Sequence, residues 1–201
     1  IGLEEKSRSV TILEKRAQPL GFSELLSATE DRVIVVSGKA GSGKTTSLRR
    51  LAWNCCREFA EHKTVAVPFF LNCRSSLLIQ IKDALRKAGM LVEDGDQALD
   101  AVSSMPCRFF VDGFDDAGSV KSANIGEELK RLVNRSLAQT RFVITTRDTD
   151  KPDIPHHCEY TPLEVTAENR ARLLVSHGVD ATLAETKVAE LEDLGASEVI
   201  S

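Results

Sequence analysis

Gly38-Lys39-Ala40-Gly41-Ser42-Gly43-Lys44-Thr45 reads G-x-x-x-x-G-K-[ST], a spacing that suits the holding of a phosphate. Glycines at these positions let successive backbone N–H groups curl around an anion. Lys44 is expected to reach the β- and γ-phosphates as a point charge, and the Thr45 hydroxyl to ligate Mg2+. The helix that follows points its positive end at the same anion.

Two further segments end in groups that could act on such a ligand. In Arg108-Phe109-Phe110-Val111-Asp112-Gly113-Phe114-Asp115-Asp116 an apolar strand runs into acid. A carboxylate at the carboxyl end of a buried parallel strand sits where ligands bind, so Asp112 is the candidate for holding the Mg2+ hydration shell. Asp115 or Asp116 could orient and deprotonate an attacking water. In Phe142-Val143-Ile144-Thr145-Thr146-Arg147 a second strand turns polar at the same end. Arg147, permanently charged and matched to phosphate oxygens, could sense or stabilise γ-phosphate charge.

The elements that must position these residues alternate. A β-branched block, Arg32 to Ser37, breaks into the glycines, and Lys44 to Phe59 carries Leu48, Leu51, Ala52, Cys55 and Phe59 at helical spacing. Further strands are expected at Val65 to Leu71, Arg108 to Val111, Arg141 to Thr145 and Cys158 to Thr161. Helices between them carry Leu77, Leu78, Ile81, Leu85 and Ala88, then Gln97 to Ser104, then Ile125, Leu129, Leu132, Val133 and Leu137. This alternation predicts an α/β fold with a doubly wound parallel sheet. Residues 1–31 read as a lead-in with one helix ending near Gln18-Pro19-Leu20-Gly21, residues 32–162 as the nucleotide-binding domain, and residues 163–201 as the start of a helical subdomain. That last part is expected to hold two short helices, the second opening with a Thr182-x-x-Glu185 capping box.

Composition narrows the classes. The chain has 201 residues, 42% of them hydrophobic and 28% charged, which suits a soluble globular domain rather than a disordered or fibrous chain. A net charge of −4 gives no general electrostatic footprint for nucleic acid or anionic lipid. No apolar run approaches the roughly 18 residues of a membrane helix. Ile1 opens the chain without a signal pattern, so the reading is a fragment that is not secreted. Five cysteines, an odd number without C-x-x-C, fit a reducing, cytoplasmic compartment. Cys55-Cys56 adjoin on a helix, where their side chains diverge. His156-His157-Cys158 lacks a partner cluster at zinc-like spacing and reads as a loop entering the fifth strand. Trp53 reads as packing or partner surface, and Arg49-Arg50 and Lys130-Arg131 as solvated helix faces.

The combination resembles the NACHT family of signal-transduction ATPases, the STAND class of P-loop proteins that includes NOD-like receptors and bacterial antiviral sensors. Gly38 through Thr46 look like its phosphate loop, which adds Thr46 to the nucleotide-binding set. Asp112-Gly113-Phe114-Asp115-Asp116 looks like its acid-small-x-acid-acid motif, Thr145-Thr146-Arg147 like its sensor strand, and Pro68-Phe69-Phe70-Leu71-Asn72-Cys73-Arg74 like its second strand. The family usually has Glu where Asp116 stands, and the shorter arm speaks against fast hydrolysis. The resemblance implies a five-stranded sheet of order 5-1-4-3-2 and an adenine nucleotide, ATP or ADP, as ligand. It also implies self-assembly on activation, with effector and sensor domains elsewhere.

The leading expectation is a switch in innate immune or antiviral defence: ADP holds a closed form, ATP with Mg2+ an open one that assembles with copies of itself, and slow hydrolysis resets it. Two alternatives stand beside it, an AAA-type ATPase that remodels nucleic acid or protein, and an interaction module that binds nucleotide without cleaving it. No Asn-Lys-x-Asp guanine motif occurs, which disfavours a GTPase. The glycine loop alone leaves small-molecule kinase activity open.

Overall fold

The computed structural model describes residues 2–6, 20–117, 119–149, 151–162, 171, 174–175 and 178–193. Its elements run β1 (Gly2–Lys6), β2 (Leu20–Gly21), a 3-10 turn (Phe22–Glu24), α1 (Leu25–Ala28), β3 (Val33–Ser37), α2 (Lys44–Ala60), β4 (Val67–Asn72), α3 (Leu77–Lys87), α4 (Gly95–Ser103) and β5 (Cys107–Asp112). A second 3-10 turn (Phe114–Ala117) follows, then α5 (Ser119–Arg135), β6 (Arg141–Thr146), β7 (His157–Pro162) and α6 (Ala181–Asp193).

Among the described residues the strands form one sheet of order β2-β1-β7-β3-β6-β5-β4. β7, β3, β6, β5 and β4 are mutually parallel. Numbered by themselves they give 5-1-4-3-2, the expected order. The all-parallel sheet needs cover on both faces, and β3 is buried at every position. Its alternate residues divide between two cores. Val33 and Val35 join Leu77, Ile81, Leu99 and Leu129 of α3, α4 and α5, while Ile34 and Val36 join Leu48, Leu51 and Cys55 of α2. Helices therefore cover both faces, the doubly wound arrangement.

An aromatic ladder sets the register of the far half of the sheet. Phe69, Phe109 and Phe142 pair across β4, β5 and β6, and their rings stack with centroids 5.3 and 5.0 Å apart. A one-residue slip would move every phenyl to the opposite face. The register thereby fixes which residue ends each strand at the carboxyl edge of the sheet.

Several expectations change. β1 pairs antiparallel with β7, from Leu3 against Pro162 to Lys6 against Glu159, and β2 pairs with β1. The segment read as a lead-in thus extends the sheet, and its expected helix lies outside the described residues. Val65 stands before β4 and is exposed, since the strand begins two residues later. Leu137 falls past the end of α5, in a turn whose carbonyl accepts from the Thr140 N–H. α4 starts earlier than expected because Asp94 Oδ1 accepts from Gln97 N at 2.9 Å and caps it. At α6 the cap is Asp180, not Thr182: Asp180 Oδ1 accepts from the N–H groups of Thr182 and Leu183. A full negative charge there also complements the helix dipole, which a hydroxyl does not. The first of the two helices expected after Pro162 falls largely outside the described residues.

β7 opens one residue earlier than expected, at His157, whose Nδ1 lies 2.7 Å from the Ile154 carbonyl oxygen. Trp53 lies on the outer side of α2 and is 70% exposed, so it is surface rather than packing. No helix among the described residues is long and apolar enough to cross a membrane.

Candidate nucleotide site

β3 ends at Ser37, the loop occupies 38–43, and α2 begins at Lys44. Gly41 at φ 78° and Gly43 at φ 80° take left-handed conformations that cost any residue with a Cβ about 1–2 kcal/mol. Gly43 caps α2 without a side chain, so the first N–H groups of the helix face the loop uncapped. Gly38 avoids crowding of a different kind. A Cβ there would lie 3.1 Å from Pro162 Cδ, at the end of β7.

Lys44 turns back over this loop. Its ammonium donates to the carbonyls of Gly38 and Lys39, each at 2.6 Å, and to Ser42 Oγ at 3.3 Å. Burial pushes its pKa below the ordinary 10.5, against the pull of Asp115 and Asp148. The Arg147 charge lowers it further and Asp112 raises it. Three carboxylates and a guanidinium thus act on one ammonium.

The strand ends supply the rest. Asp112 closes β5, and its Oδ1 accepts from Thr45 Oγ1 at 2.8 Å although the two stand 67 residues apart. The same oxygen accepts from Thr145 Oγ1 at 2.8 Å, and Thr145 Oγ1 in turn accepts from Gly113 N at 3.0 Å. Thr45 and Asp112 offer a hydroxyl and a carboxylate, hard oxygen donors of the kind Mg2+ takes beside phosphate and water. The residues present therefore fit that ion. Asp115, on the 3-10 turn beyond β5, pairs with Arg147 just beyond β6, Nε to Oδ2 at 2.8 Å.

All these groups lie at the carboxyl edge of the parallel strands, the edge where open α/β sheets bind ligands. Lys39 and Ala40 sit exposed on the loop, and Thr46 is exposed on the first turn of α2. Asp116 lies on the 3-10 turn, and its side chain is outside the described set.

The NACHT domain family matches residues 32–182. The chain belongs to this family of P-loop NTPase domains. Comparison with curated proteins finds no sequence match. Among solved structures, a DNA replication initiation factor aligns with 13% identity and a TM-score of 0.51, over 78% of this chain and 48% of that one. Cdc6p from Pyrobaculum aerophilum aligns with 16% identity and a TM-score of 0.51, over 77% and 46% respectively. At these identities the likeness is one of fold. The chain spans about half the length of both structures.

Two residues of this NACHT domain escaped the sequence reading. Thr145, 1% exposed, sits inside β6, two residues before Arg147. Its signal is a polar residue at a position that a buried parallel strand would fill with Val or Ile. Asp148 follows Arg147 on an exposed turn, where an acid carries no signal of its own.

Proposed function

We propose that this NACHT domain binds an adenine nucleotide across the carboxyl edge of its sheet and uses it as a switch. The observation that carries the reading is the 2.8 Å bond between Thr45 and Asp112. It joins the two residue types that hold Mg2+ in P-loop enzymes, beside a lysine reaching over a glycine loop. In this role the loop N–H groups and Lys44 grip the phosphates, Lys44 giving up its bonds to Gly38 and Lys39 for phosphate oxygens. Thr45 and Asp112 hold the Mg2+, which when bound neutralises phosphate charge. Arg147 reads the γ-phosphate, and Asp115 or Asp116 orients a water for slow hydrolysis.

The wider reading is that ADP favours a closed form and ATP an open form that assembles with copies of itself, in cytoplasmic innate immune or antiviral defence. Its support is membership of the NACHT family. Calorimetric titration of ADP and ATP, with Mg2+ and with EDTA, tests the first part against Lys44→Ala. Hydrogen bonds from a charged donor are worth about 1.5–3 kcal/mol, so the variant should bind about tenfold to a hundredfold more weakly. Equal affinity in the two proteins would defeat the reading. Light scattering of the protein with ATP against ADP tests assembly.

A further inference from the structure

Thr145 lies in the interior of the sheet, paired with Val36 of β3, and is 1% exposed. A hydroxyl at such a position costs free energy unless both its proton and a lone pair find partners. Both do. The proton goes to Asp112 Oδ1, since a carboxylate can only accept, and a lone pair receives the Gly113 N–H. Gly113 itself turns the chain at φ 68°, so one side chain holds both the acid at the end of β5 and the bend that follows it.

Asp112 Oδ1 also receives Thr45, and among the described residues both hydrogen bonds to this carboxylate fall on that one oxygen. Two hydroxyls from different elements fix the carboxylate's torsion and leave the lone pairs of Oδ2 to be offered elsewhere. We infer that Thr145 is a positioning residue for the divalent cation: it orients Asp112 toward the metal of a bound nucleotide without touching nucleotide or metal. The inference rests on the reading of the site as a Mg2+-nucleotide site. Outer partners of this sort commonly set metal affinity by about tenfold to a hundredfold.

Two pairs of proteins isolate the hydroxyl. Thr145 and Thr145→Val differ in it at constant shape, and Thr145→Ser and Thr145→Ala differ in it at reduced bulk. ADP affinity is titrated calorimetrically for each with Mg2+ and with EDTA. The Val and Ala proteins are expected to lose about tenfold to a hundredfold of the affinity that Mg2+ adds, with the EDTA affinity unchanged and the Ser protein restored toward wild type. If Thr145→Val gives no cooperative thermal transition, the Ser and Ala pair decides the matter. A Mg2+-dependent gain retained in full without the hydroxyl overturns the inference, as does a loss that is equal with and without Mg2+. Failure of the wild type to bind ADP at all would instead overturn the proposed nucleotide site.

Discussion

Asp115 and Arg147 hold each other at two points: the guanidinium Nε reaches Oδ2 at 2.8 Å and the Arg147 backbone N–H reaches Oδ1 at 3.1 Å. The Asp115 side chain is 9% exposed and that of Arg147 55%, so the acid is the buried anchor and the arginine the arm that can move. Both carboxylate oxygens are engaged. For Asp115 to act on a water, or Arg147 on a phosphate, the side-chain contact must open while the backbone bond can stay. One ion pair therefore joins the acid after β5 to the arginine after β6.

Replacing Arg147 with Ala should separate the two nucleotides. A lost charged hydrogen bond costs about 1.5–3 kcal/mol, so ATP affinity is expected to fall about tenfold to a hundredfold while ADP affinity changes little. Calorimetry with each nucleotide in Mg2+ checks this. Parallel losses for ATP and ADP would make Arg147 a strut for Asp115 and no reader of the γ-phosphate.

Glu128 caps a helix other than its own. From α5 its carboxylate accepts from Ser76 Oγ at 2.7 Å and from the N–H groups of Leu77 and Leu78 at 2.6 and 3.4 Å, at the start of α3. Negative charge is favourable at that end of a helix. Glu128→Ala leaves those donors part-buried without it, and stability should fall by about 1–3 kcal/mol. Urea unfolding followed by circular dichroism reads the change, and Glu128→Gln should lose less. An unaltered midpoint in Glu128→Ala would show that the cap contributes nothing.

The strand, glycine loop and helix from Val33 to Ala60 were legible because their signals are local: a β-branched run, left-handed glycines, then apolar residues at helical spacing. Asp112 and Arg147 were legible because polarity changes abruptly where each strand ends. What escaped depends on partners distant in the chain. Leu3 against Pro162 makes β1 a strand, and nothing near Leu3 announces it. Glu128 reads as one more charge on a helix until Ser76 is seen beside it. Thr145 reads as a strand threonine until Asp112 supplies its partner. Val65 and Leu137 show the opposite error, apolar residues assigned to elements that stop short of them. The order of the strands came from family resemblance, since alternation alone allows several.

Gly43 tests the loop's backbone. At φ 80° an alanine costs about 1–2 kcal/mol if the conformation is kept. Gly43→Ala should therefore lower the unfolding midpoint and, on the proposed reading of the site, weaken nucleotide binding together, because escape from the strain moves the N–H groups at the start of α2. A variant as stable as wild type that binds ADP normally would show that the left-handed turn is dispensable.

Cys107 predicts an alkaline limb of the stability curve. It is fully buried at the start of β5, and burial pushes its thiol from the ordinary 9.0 up to about 12. The folded chain keeps this proton where the unfolded chain releases it. With fewer protons bound to the unfolded state, stability falls as pH rises. The contribution is whole below about pH 9 and is lost progressively toward pH 12, as the thiolate forms in the unfolded chain but not in the folded one. Cys55 and Cys56 are also raised by burial, so they add to the same limb. Cys107→Ala should flatten it, although the variant loses some stability at neutral pH from the space left in the core. Urea midpoints measured from neutrality to above pH 9, for wild type and variant, give the comparison. Equal slopes in the two proteins would mean that the Cys107 thiol titrates alike folded and unfolded.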